Sequence, residues 1–189
     1  MQSKQIILIG FTAVISFAGC KSTNKLEKTT GAQEITVPFS ESKYKSDKDF
    51  FRAKQMGKSP DLATAKKIAL QNAKAELAGN IKALVKRVTD QYTNQRTVGN
   101  KQDFENKFEE LSREVVDQTL TDVKIMDEKI FKELDGSYSY WTAIEVSKQS
   151  ILDGVNSKIS KNEKLLLDYD KKKFEDVFNS EMEKMSKAQ

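Results

Sequence analysis

Apolar positions along the chain fall into three patterns. The first is an unbroken run, Ile6 to Phe17 (IILIGFTAVISF). It is shorter than the roughly 18–20 residues that a membrane-spanning helix needs. One cation, Lys4, precedes it, and the small residues Ala18-Gly19 follow. Residues 1–19 therefore read as a signal peptide. Residues 21–33 hold a single large apolar side chain, Leu26, and read as a flexible tether. Such a coil spans roughly 20 Å on average and about 45 Å when drawn out.

The other two patterns, helical stripes and strand alternation, predict an α+β body. Glu34–Phe39 (EITVPF) is β-prone and is a candidate first strand, with Pro38 keeping it at an edge. Residues 41–49 read as polar loop, and Phe50–Met56 as a second short strand closed by Gly57. Ser59-Pro60-Asp61 is a helix start, with Ser59 as cap, Pro60 in the first turn and Asp61 at the positive end of the dipole. Leu62, Ala65, Ala69, Ala73, Leu77, Ile81, Leu84 and Val88 recur at three- and four-residue steps, so the helix runs to about Gln91. Its alanine stripe suits close packing more than an interaction groove. A loop over 92–100 ends at Asn100, a cap for a second helix carrying Phe104, Phe108, Leu111 and Val115.

Alternation then returns in Val123–Leu134 and Ser137–Val146, which flank Asp135-Gly136. A two-residue hairpin turn there sets Phe131 opposite Tyr140 and Ile125 opposite Val146. Asp127 and Lys129 spoil one face, which calls for a bulge or a partly solvated strand. From Ser147 the spacing is helical again through Ile151, Val155 and Ile159. It slips near Lys161-Asn162 before resuming through Phe174, Phe178 and Met182, so two helices or a kinked one are expected. The fold class is α+β, with long helices packed on a small antiparallel sheet. The domain spans residues 34–149, and 150–189 form an extra C-terminal helical segment.

Composition narrows the chemistry. Among 189 residues there is no histidine and one cysteine. That excludes an imidazole base, a Ser-His or Cys-His dyad, His-ligated metals, cysteine clusters and an intramolecular disulfide. The charge is mixed, 32 basic against 28 acidic residues for a net +4, which is no polycation. Lys66-Lys67 and Lys171-Lys172-Lys173 are short clusters with acids close by, so nucleic acid is not an expected partner. Glu109-Glu110 and Glu175-Asp176 are paired acids on charged helical segments, where solvated faces explain them. Asp168-Tyr169-Asp170 lacks the ligand count and glycine of a calcium loop. No phosphate loop, dinucleotide fingerprint, nucleophile elbow or zinc-protease motif occurs. No catalytic residue, cofactor or metal is expected.

The sole cysteine is the sharpest signal. Phe17-Ala18-Gly19-Cys20 resembles a bacterial lipobox, with Phe17 standing where Leu is usual. The resemblance implies diacylglyceryl transfer to the Cys20 thiol, cleavage between Gly19 and Cys20, and acylation of the new amino group. Residues 20–33 would then be lipidated cysteine and tether. One acyl chain binds a membrane marginally, whereas two or three hold firmly, at about 0.8 kcal/mol per buried methylene. Cleavage removes one cation, Lys4, and leaves a charge of +3 in place of +4. Lys21 occupies the place where an Asp would favour retention at the inner membrane. The expected location is therefore the outer membrane, at its periplasmic face or at the cell surface.

Phe50 to Ile81 (FFRAKQMGKSPDLATAKKIALQNAKAELAGNI) resembles the Lpp-twenty-like bacterial lipoprotein family. The short strand, Gly57, Ser59 and the helix bearing Ala63, Ala65, Ala69, Ala73, Ala75 and Leu77-Ala78 carry the likeness. So do Asp135-Gly136-Ser137-Tyr138 and Ile144-Glu145-Val146, and together they cover roughly residues 50–147. The resemblance implies a long helix on a small antiparallel sheet, in an envelope lipoprotein without catalytic activity. Members of that family look like surface antigens or envelope assembly factors, and a similar domain occurs in a flagellar-ring accessory protein.

The expected function is a lipid-anchored, non-catalytic binding or assembly module of the cell envelope, with the membrane and an envelope protein as partners. A surface-exposed adhesin or antigen is the alternative, and an envelope enzyme comes third. Tyr140 and Trp141 are the candidate interaction residues, since Tyr and Trp are common interface anchors. As strand neighbours they face opposite ways, so one is exposed or lies under the C-terminal helix.

Overall fold

A computed structural model describes residues 34–95 and 100–188. After a 3-10 turn at Ser42–Tyr44 come β1 (Phe50–Ser59), α1 (Leu62–Asn94), α2 (Lys101–Thr119), β2 (Lys124–Lys132), β3 (Tyr138–Ser147), α3 (Lys148–Ile159), α4 (Glu163–Asp168) and α5 (Lys171–Lys187). The result is an α+β fold, helices on a three-stranded antiparallel sheet of order β1-β3-β2. Each α-helix starts at a side-chain cap. Asp61, Asn100, Ser147, Asn162 and Asp170 accept from the backbone N–H three residues on. The cap of α1 is Asp61, bonded to Thr64 N–H at 2.7 Å, rather than Ser59. Ser59 instead ends β1, and its hydroxyl accepts from Asp61 N–H.

The alanine stripe explains the helix-on-sheet layer. Ala65, Ala69 and Ala73 are fully buried, so α1 lies flat over β1 and β3. Gly57 completes the contact from the other side. It does not close the strand; β1 continues two residues beyond it. A Cβ there would collide with the Ala65 carbonyl and lie 2.5 Å from Ala69 N. Farther along α1, Leu77, Ile81, Leu84 and Val88 bury larger chains. Each is worth about 1.5–3 kcal/mol relative to exposure.

The hairpin turn sits where expected, but its register differs by one residue near the turn and by two beyond the bulge at Met126. Gly136 N–H donates to the Glu133 carbonyl and Glu133 N–H to the Ser137 carbonyl. Gly136 has φ +80°. This is a three-residue loop, Leu134-Asp135-Gly136, with glycine in the left-handed position. Ile130, not Phe131, therefore faces Tyr140, and Ile125 faces Ile144 rather than Val146. Past Asp127 the register shifts at a bulge, which leaves Met126 without a cross-strand partner. The predicted conflict of Asp127 and Lys129 with a buried face is resolved in this way, and β2 is largely solvated.

Residues from Thr36 onward form one unit, and its main core crosses the expected boundary at residue 149. Phe51 and Ile144 of the sheet share that core with Ile151, Val155, Phe174 and Phe178 of the C-terminal helices. The segment after 149 is thus a wall of the fold, packed on α1 and α2. The expected slip lies at Asn162, which caps α4. A second break follows at Tyr169-Asp170, giving three helices instead of two. Tyr92 of α1 holds that break, donating to the Asp168 carbonyl at 2.9 Å and accepting from Asp170 N–H at 2.7 Å.

The segment expected as a first strand, Glu34–Phe39, contains no strand among its residues. Pro38 and Phe39 form a turn in which Phe39 has φ +63°. That conformation costs roughly 1–2 kcal/mol for a residue with a Cβ. Phe39 is nevertheless only 1% exposed. The burial that offsets the cost is on the sheet, as described next.

Candidate interaction surface

One sheet face lies under α1; the other looks outward. Residues 38–47 cross this outer face as a strap. Phe39 and Tyr44 pack ring to ring at 4.8 Å and cover Ala143 of the central strand. Met126, turned outward by the bulge, and Trp141 close the same cluster. Polar contacts tie the strap to both flanking strands. Lys54 of β1 donates to the Phe39 carbonyl, and the Tyr44 hydroxyl donates to Asp127 of β2 at 2.6 Å. The Lys129 ammonium stands 5.2 Å from the Phe39 ring centre. The Tyr44 hydroxyl bonded to Asp127 holds that carboxyl below its ordinary value, and the same bond raises the tyrosine. Behind the strap, Arg52 bridges Asp47 and Glu145, whose side chain Lys124 also reaches.

The two candidate residues part company here. Tyr140 is 3% exposed, beneath Ala65 and Ala69 of α1. Burial raises its hydroxyl pKa, and its bond to Glu128 lowers that carboxyl. It is a helix-packing residue, not an exposed anchor. Trp141 lies on the outer face and is half-buried. The expected cover, the C-terminal helix, packs elsewhere; the strap covers it instead. Sequence reading missed the strap because residues 41–49 are polar apart from Tyr44. The signal available was the pair of aromatics, Phe39 and Tyr44, isolated in that stretch. Cys20 and Gly19 lie outside the described residues.

Toward the hairpin the outer face is bare. Phe131 is 46% exposed and Leu134 at the tip fully so. The turn beneath them is stiffened by Asp135, which accepts from Ser137 Oγ, Ser137 N–H and Lys58 Nζ. Those bonds, led by the Ser137 hydroxyl, hold its carboxyl far below the usual range.

Three of the acids singled out in the sequence are engaged locally. Glu109 pairs with Arg113 at 2.7 Å, Glu175 accepts from Asn156 at 3.1 Å, and Asp170 caps α5. A groove of about 430 Å³ between α1 and α2 mixes Lys82, Lys86 and Arg113 with Glu105 and Glu109. Among the described residues no group of three acidic, histidine or cysteine side chains is placed to hold a metal ion. No helix among them is long and apolar enough to cross a membrane. No family model matches the chain, and neither a curated protein nor a solved structure matches it.

Proposed function

We propose that the chain is a bacterial envelope lipoprotein of Lpp-twenty-like type. Its α+β body would serve as a non-catalytic binding or assembly module. The observation that carries this is the position of the only cysteine, directly after Ala18-Gly19 at the end of the apolar run Ile6–Phe17. Acyl chains on Cys20 hold the protein at the membrane, on the outer membrane in this reading. A tether over residues 21–33, which lie outside the described residues, would let the body stand off the bilayer. The long helix α1 on a small sheet supports the family part of the reading. Phe131 and the hairpin tip at Leu134 give the module an exposed surface for an envelope protein, beside the strap-covered Trp141.

Replacing Cys20 with Ser is expected to leave an uncleaved precursor that takes up no radiolabelled palmitate. Equal palmitate incorporation in the variant would overturn the anchor. A second reading, a surface adhesin or antigen, draws on the exposed Phe131 and Leu134. Protease treatment of intact cells separates the two, since only a surface protein is digested.

A further inference from the structure

We propose that the open edge of β2 pairs antiparallel with the same edge of a second copy of this chain. The two-fold axis passes through Ile130, and two three-stranded sheets become one of six strands. β2 is an edge strand, paired only with β3 and exposed along most of its nine residues. Ile130 and Phe131 are 52% and 46% exposed, and as strand neighbours they face opposite sides of the sheet. A helix or loop laid on one face covers only one of them. A strand added at the edge gives both a neighbour.

The backbone is set for this. Glu133 N–H bonds to Ser137 across the hairpin. Alternation along an antiparallel ladder then directs the groups of Phe131 and Lys129 to β3. It leaves the N–H and C=O of Glu128, Ile130 and Lys132 on the open side. Centred on Ile130, the pairing sets Ile130 against itself. Glu128 meets Lys132 of the second copy, twice over, and Lys129 meets Phe131 of the second copy, an ammonium beside a ring. Neighbouring registers are worse. A centre at Glu128 or Lys129 sets like charges together, and one at Phe131 sets Ile130 against Lys132. The Met126 bulge disrupts the other half of the edge and confines pairing to residues 128–132. So short a contact falls below the roughly 1,200 Å² of a standard stable interface, and the dimer is correspondingly weak.

The proposal does not depend on the lipid anchor. Its test is cysteine cross-linking of the full chain in intact cells, with the unaltered chain as control for Cys20. Ile130→Cys puts two Cα atoms about 5.5 Å apart, within disulfide reach. Ile125→Cys puts them roughly 30 Å apart. Ile130→Cys is expected to yield a covalent dimer and Ile125→Cys none. Adding Lys132→Glu should cut the yield about tenfold through two clashes with Glu128, and further adding Glu128→Gln should restore it. Trp141 emission like that of the parent chain shows that each variant is folded. Equal yields at residues 130 and 125, or an adduct with a different protein in place of the dimer, overturns the pairing.

Discussion

Thr142 sits fully buried on the central strand, and among the described residues its hydroxyl is the buried side-chain oxygen without a hydrogen-bond partner. Val has the same shape without that oxygen. Thr142→Val is therefore expected to raise stability by about 1 kcal/mol, seen as a higher urea midpoint at unchanged slope. Gly57 is the opposite case. Its neighbours on α1 are backbone atoms of Ala65 and Ala69, which cannot turn aside. Gly57→Ala should cost about 3 kcal/mol in the same titration. At this scale the sequence was informative about type and less so about count. Asp135-Gly136 marked the turn, but Leu134 looked like a strand residue and is in fact a loop residue. That single residue moved the register by one, and the bulge at Met126 moved it by one more over the start of β2.

Elements whose signals are local were legible. The stripe of α1 needs only its own spacing, Asn100 caps α2 three residues from the N–H it binds, and the slip in periodicity marked the break at Asn162. The strap was not legible, since its contacts are distant. Tyr44 and Asp127 are 83 residues apart, and nothing near either one announces the other. The same holds for the break at Tyr169-Asp170, which depends on Tyr92. Phe39→Ala removes a buried ring from the strap and should cost about 3 kcal/mol. Trp141, the only tryptophan, lies in the same cluster, so its emission should shift to the red as the strap loosens. Emission unchanged from the parent would show that the strap is not its cover.

For the whole molecule, the absence of histidine shapes the response to pH. Asp61, Asp103, Asp127, Glu128, Asp135, Glu181 and Glu183 all lie below their ordinary values, held there chiefly by hydrogen bonds. A lowered acid contributes stability that is present above its unfolded value near 4 and is lost as pH falls through the folded one. Tyr44, Tyr140, Lys58 and Lys66 are raised. Their contribution is present below unfolded values near 10 and lost as pH rises through the folded ones. Thermal melts should therefore show a plateau between about pH 5 and 9, falling on both sides. A step near pH 6.5 would contradict this. The C-terminal helices also belong to this scale. Their apolar stripes were visible, but a stripe does not say which core it enters, and here α3, α4 and α5 all contribute to the core under the sheet.

The strap also fixes how the protein answers a pull. Tension arriving from the N-terminal side of the chain reaches Phe39 and Tyr44 before any strand. A pull on Phe39 loads β1 through Lys54, the Tyr44 bond loads β2 through Asp127, and Arg52 of β1 also holds Lys45, Ser46 and Asp47. Once these contacts yield, residues 36–47 can extend to a total length of about 40 Å. Release of the strap would uncover Trp141 and Ala143 on the outer face of the sheet.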